Sequence, residues 1–121
     1  MSNLRVLLVD DEEELVSALV ERLGYRGIDA EYALTGNIAL EKLREGSFDV
    51  VVLDFKLPGM SGVEVHHIIK KEHPHLPVVL ITGHGAPPEQ IRDKPSELHD
   101  FLEKPVALNV LLEKIKEVTG K

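Results

Sequence analysis

Two acids, Asp10 and Asp11, follow the apolar run Arg5-Val6-Leu7-Leu8-Val9, and a third, Asp54, ends the run Asp49-Val50-Val51-Val52-Leu53. A hydroxyl, Thr82, ends Leu76-Pro77-Val78-Val79-Leu80-Ile81, and a cation, Lys104, follows Asp100-Phe101-Leu102-Glu103. A carboxylate at the end of an apolar run has little structural justification, because burying it is costly unless it is paired. If the first and third runs are neighbouring strands, about 4.8 Å apart, their ends bring the three carboxylates into one crevice. Two unit charges about 5 Å apart, at an effective dielectric near 20, repel by roughly 3 kcal/mol. A bound divalent cation, protonation of one carboxyl or the Lys104 ammonium must offset that repulsion. Oxygen donors without Cys or His suit Mg2+, which keeps several waters and takes one or two carboxylates plus a phosphate oxygen. A carboxylate in such company can attack a phosphoryl group while the cations and the hydroxyl hold its oxygens. The residue types therefore suit acceptance of a phosphoryl group on aspartate.

The elements that must position these residues are legible in the hydrophobic pattern. Arg5 to Val9 reads as a strand buried on both faces. Asp11 with Glu14 has the spacing of a capping box for a helix with its stripe at Val16, Leu19, Val20 and Leu23, stopped by Gly24. A weaker strand from Ile28 to Tyr32 leads through Thr35-Gly36 into a helix carrying Ile38, Ala39, Leu40 and Leu43, closed by Gly46. Asp49 to Asp54 is the clearest strand; after the turn Pro58-Gly59-Met60, Ser61 and Glu64 form another capping box for a helix with Val65, Ile68 and Ile69. A fourth strand covers Leu76 to Thr82, and Pro87, Pro88 and Pro95 leave room for a short fourth helix near Glu89 to Lys94. A fifth strand near Asp100 to Lys104 precedes a last helix with its stripe at Leu108, Leu111, Leu112, Ile115 and Val118.

Strand–helix alternation repeated five times predicts an α/β fold, a doubly wound five-stranded parallel sheet. The first, third and fourth strands are the most apolar and belong at its centre, giving the order 2-1-3-4-5 with ligands at the first/third switch point. At 121 residues the chain is expected to be a single domain, 1–121. Lacking Cys, it has no thiolate chemistry or disulfides, and its net charge of −7 disfavours direct nucleic-acid binding. No apolar stretch is long enough to span a bilayer and the start lacks a secretion-signal layout, so the expectation is a cytoplasmic protein without membrane contact. His66, His67, His73, His75, His84 and His99 show no metal-ligand spacing, and most are expected at the surface.

With these pieces in order, the sequence resembles the response-regulator receiver domain of bacterial two-component signalling. The matching segments are Val9-Asp10-Asp11-Glu12, Asp54-Phe55-Lys56-Leu57-Pro58-Gly59-Met60-Ser61-Gly62, Ile81-Thr82-Gly83-His84-Gly85 and Phe101-Leu102-Glu103-Lys104-Pro105. The resemblance implies a flavodoxin-like, CheY-like fold and a transient aspartyl phosphate on Asp54. It implies Mg2+ held directly by Asp11 and Asp54, through water by Asp10, and by the backbone carbonyl of Lys56. Lys104 would pair with the phosphoryl oxygens, and Thr82 and Phe101 would be the switch residues. The implied partners are a sensor histidine kinase or histidine phosphotransfer domain, a downstream output protein or domain, and a phosphorylation-dependent homodimer. The implied output face combines the fourth helix, fifth strand and last helix. Such a module is a regulatory domain that assists its own phosphorylation and dephosphorylation, rather than a turnover enzyme.

Lys56 and His84 each follow a key residue by two positions, the acceptor and the switch hydroxyl. Their side chains are expected to overhang the site and to set how easily water reaches it.

Other readings fit less well. A phosphate-ester hydrolase with an aspartyl intermediate commonly carries an acid two residues after its nucleophile, where this chain has Lys56. Flavin binding needs backbone donors and small residues after the first strand, not Asp10-Asp11-Glu12-Glu13-Glu14. An unphosphorylated scaffold would not need the complete set of acids, hydroxyl and lysine.

Overall fold

The computed structural model describes residues 4–82, 100–103 and 106–120, with residues 82, 100, 101 and 103 described by their backbone. Its elements are β1 (Arg5–Val9), α1 (Glu13–Gly24), β2 (Asp29–Ala33), α2 (Gly36–Glu45), β3 (Val50–Asp54), α3 (Gly62–Glu72), β4 (Val78–Thr82), β5 (Asp100–Glu103) and α4 (Leu108–Thr119). All four strand pairings are parallel, in the order β2-β1-β3-β4-β5. The expected sheet order is therefore the observed one. The short helix expected near Glu89 to Lys94 lies outside the described residues.

The order follows from burial. Side chains alternate across a strand, so a strand covered on both faces must be apolar throughout. Leu7, Val9, Val51, Leu53, Val78 and Leu80 join one core layer with Ala39, Leu40 and Leu43 of α2 and Val65 and Ile69 of α3. Val6, Leu8, Val50, Val52, Val79 and Ile81 join the other with Val16 and Leu23 of α1 and Leu111, Leu112 and Ile115 of α4. Burying one such aliphatic side chain contributes roughly 1.5–3 kcal/mol. The outer strand β2, Asp-Ala-Glu-Tyr-Ala, is only partly covered along most of its length and pairs with β1 alone among the described strands.

Helix starts agree with the sequence in two places and differ in a third. Thr35 Oγ1 accepts from Ile38 N at 3.2 Å and caps α2; Ser61 Oγ accepts from Glu64 N at 3.2 Å and caps α3. Asp11 does not cap α1. Glu12 holds the N-cap position with no side-chain cap bond, and the Glu12 amide donates instead to Asp10 Oδ1 at 2.9 Å. The Asp10 carboxylate is thus committed to the turn after β1 rather than to the helix. Gly24 is the last residue of α1, but the chain reverses through Gly27 at φ 78°, where a side chain would be strained.

Candidate functional site

Parallel register carries β1 and β3 side by side, with Val9 opposite Leu53, so Asp10 and Asp54 stand one step further on at neighbouring strand ends. Asp54 itself lies beside Ile81 of β4. Asp10 and Asp54 are buried, 8% and 4% exposed, while Asp11 is exposed. Each offers a carboxylate oxygen to one group, with those atoms all within 4.8 Å of one another. Among the described residues this is the group of His, Cys, Asp and Glu side chains able to hold a metal ion.

Local hydrogen bonds orient the two buried carboxylates. Asp10 Oδ1 accepts from the Glu12 amide at 2.9 Å, and Asp54 Oδ1 accepts from the Lys56 amide at 3.1 Å. Each acid thereby receives a donor from the backbone two residues on, where the chain leaves the sheet. The Asp10 amide in turn donates to Ala33 O at 3.1 Å, fixing the turn against the end of β2.

The remaining positions singled out in the sequence are placed as follows. Thr82 closes β4 with Glu103 as its register partner, and Phe101 lies in β5 opposite Leu80. Lys56 is exposed, two residues past Asp54. Lys104 and His84 lie outside the described residues.

Of the four histidines among the described residues, one lies in the core. His66 is buried at 2% exposure on the inner side of α3, whereas His67 and His75 are exposed and His73 is half-buried. Helical spacing from Gly62 through Val65, His66 and Ile69 marks that inner side, and periodicity would have placed His66 on it.

A family model described as the response regulator receiver domain matches residues 6–116. The chain belongs to the response-regulator receiver family. This receiver is 36% identical over 124 residues to a putative NtrX-like response regulator of Rickettsia felis, an alignment covering 98% of this chain and 26% of that protein. Among solved structures, a CheY-like receiver domain protein from Methanospirillum hungatei superposes with a TM-score of 0.90 at 29% identity, covering 98% of this chain and 95% of the other. The response regulator TrrA of Thermotoga maritima, solved in complex with Mg2+ and BeF, superposes with a TM-score of 0.80 at 32% identity, covering 95% of this chain and 98% of that one. Curated relatives are longer; this receiver spans 26% to 49% of their length. Some of these longer relatives are transcriptional regulatory proteins. A receiver is a regulatory domain of response regulators, and this one carries the acidic cluster Asp10, Asp11 and Asp54 at its strand ends. No helix among the described residues is long and apolar enough to cross a membrane.

Proposed function

We propose that the chain is a phosphorylation-driven switch in which Asp54 accepts a phosphoryl group from a sensor histidine kinase or a histidine phosphotransfer domain. The observation that carries this reading is the convergence of Asp10, Asp11 and Asp54 within 4.8 Å at the carboxyl ends of β1 and β3. Three acids so close are a liability for the fold and an asset for a site that binds a cation and a phosphoryl group.

The donor set fits Mg2+: all oxygen, two buried carboxylates already oriented by backbone amides, and an exposed third. Asp11, Asp54 and the Lys56 carbonyl would hold the ion directly, and Asp10 through water. Bound there, Mg2+ supplies positive charge that neutralises the carboxylates and the phosphoryl oxygens. Asp54 Oδ forms a bond to phosphorus as the phosphorus–nitrogen bond of the donor phosphohistidine breaks and its imidazole leaves. The Lys56 amide holds the Asp54 carboxylate in place through Oδ1. Lys104 pairs with the transferred oxygens, and Thr82 moves toward them as Phe101 turns inward. Water attacking phosphorus later restores the carboxylate and releases inorganic phosphate.

The switch acts by population shift: phosphorylation favours one arrangement only by stabilising it over the other. The face that changes is built from the segment near Glu89 to Lys94, β5 and α4, and it addresses a downstream output protein or domain or a second copy of the chain. On this reading residues 1–121 form one cytoplasmic receiver domain that does not itself contact nucleic acid.

The test is intact mass after incubation with Mg2+ and a small phosphodonor such as acetyl phosphate. The parent protein is expected to gain one phosphoryl group, lost in Asp54→Asn and when EDTA replaces Mg2+. A parent that gains none overturns the reading and supports a scaffold.

A further inference from the structure

We infer that Gly62 is a positioning residue for the acceptor, because its missing Cβ lets the start of α3 hold a peptide plane that orients Asp54. This inference rests on the proposed role of Asp54.

Phe55 leaves the sheet directly after Asp54 and is held from both sides. Its amide donates to Ile81 O of β4 at 2.9 Å, and its carbonyl accepts from the Gly62 amide at 3.0 Å. The peptide unit that bears the Phe55 carbonyl also bears the Lys56 amide, and that amide donates to Asp54 Oδ1 at 3.1 Å. A peptide unit is planar and rigid. Its oxygen is gripped by α3 and its N–H by the acceptor carboxylate, so the two ends cannot be turned independently.

Gly62 is buried, and a Cβ built on it would overlap the Phe55 carbonyl oxygen, with Phe55 Cα at 2.6 Å and its carbonyl carbon at 2.8 Å. These are backbone atoms, not the end of a flexible side chain, so something in the backbone must shift. The helix is anchored by Ile69, 0% exposed, and by the Ser61 cap. Phe55 N is anchored on β4. The displacement therefore falls on the Phe55–Lys56 peptide plane and takes the Lys56 amide away from Asp54. The Lys56 carbonyl, proposed to face the metal, is the next group along.

Gly36, the first residue of α2, provides the contrast. A Cβ there would overlap Val65 Cγ2, with Met60 Cβ and Sδ both at 3.5 Å. That overlap is with side chains and is relieved by trimming Val65.

The measurement is the Kd for Mg2+, read from NMR amide shifts of the folded protein. The folded Gly62→Ala protein is expected to bind Mg2+ about 10-fold or more weakly, a cost of the size usual for a lost second-layer contact at a metal site. Its labelling by acetyl phosphate should slow in parallel. The Gly36→Ala, Val65→Ala double variant should keep the parent Kd even if it melts earlier. A folded Gly62→Ala protein with the parent Kd overturns the inference, as does an equal loss in the double variant. Should Gly62→Ala not fold, hydrogen exchange in the metal-free parent decides: the Lys56 and Gly62 amides should share one opening free energy, and independent exchange overturns the link. A parent that neither binds Mg2+ nor takes a phosphoryl group refutes the switch itself. A competent parent with an unaffected Gly62→Ala refutes only the role of Gly62.

Discussion

At the scale of single residues, the protein holds negative charges together that would separate in solution. Repulsion of roughly 3 kcal/mol per pair is expected at such distances, less where water reaches the charge. Asp11 is the exposed member, and Asp11→Asn is expected to stabilise the metal-free protein by about 1 kcal/mol, raising its Tm in EDTA by a few degrees. The same variant should lose most of the gain that Mg2+ gives the parent. A Tm below that of the parent in EDTA would show that Asp11 is stabilised by its surroundings, contrary to this account. Lys56, exposed two residues past Asp54, belongs to the same scale. Phosphorylated Lys56→Ala and His84→Ala are each expected to decay at rates different from the parent; three superimposable decay curves would remove both side chains from the control of water access. The acids were legible in the sequence because a carboxylate ending a β-branched run has no structural excuse. The role of Gly62 was not, since it depends on an approach to the Phe55 backbone that no local pattern records.

At the scale of elements, propensity and capping predicted where most helices and strands lie, with ends shifted by a residue or two. β2 runs from Asp29 to Ala33 rather than from Ile28, because the Ile28 amide donates back to Leu23 O of α1 at 3.1 Å and the pairing with β1 starts at Asp29. The expected box at Asp11 failed for a reason outside the helix: the Asp10 carboxylate takes the Glu12 amide and makes the turn part of the site. Ser61→Ala, which removes the α3 cap, should cost about 1 kcal/mol in denaturant unfolding. The surface pair between α2 and α3 supplies a pH signature. Arg44 Nε and Nη2 both donate to the Glu72 carboxylate, at 3.1 and 2.9 Å, and these hydrogen bonds hold the Glu72 carboxyl below its ordinary value. Its contribution is therefore complete above the ordinary carboxylate range and disappears as pH falls through the depressed folded value. Comparing Glu72→Gln with the parent across that range should show a small difference that vanishes on acidification and in molar salt. A difference that grows toward acid would contradict the assignment.

For the molecule as a whole, the two-layer burial of β1, β3 and β4 makes the scaffold a rigid frame whose strand ends meet at one place. Leu53, fully buried one residue before Asp54, tests that frame: Leu53→Ala should cost about 2–5 kcal/mol. Binding to the native state alone should stabilise it by about 2.7 kcal/mol at an Mg2+ concentration of 100 Kd. The sheet order was legible because apolar content ranks strands by how completely they are covered. What the frame carries outward was not, because an output face is defined by the partner it fits. Peptide mapping after hydride trapping of the phosphorylated chain locates the phosphoryl group, which is proposed to reside on Asp54. Borohydride reduces an aspartyl phosphate to homoserine, which is expected at position 54 and at no other Asp. Homoserine at Asp10 or Asp11 instead, or none in a chain that has gained a phosphoryl group, would contradict it.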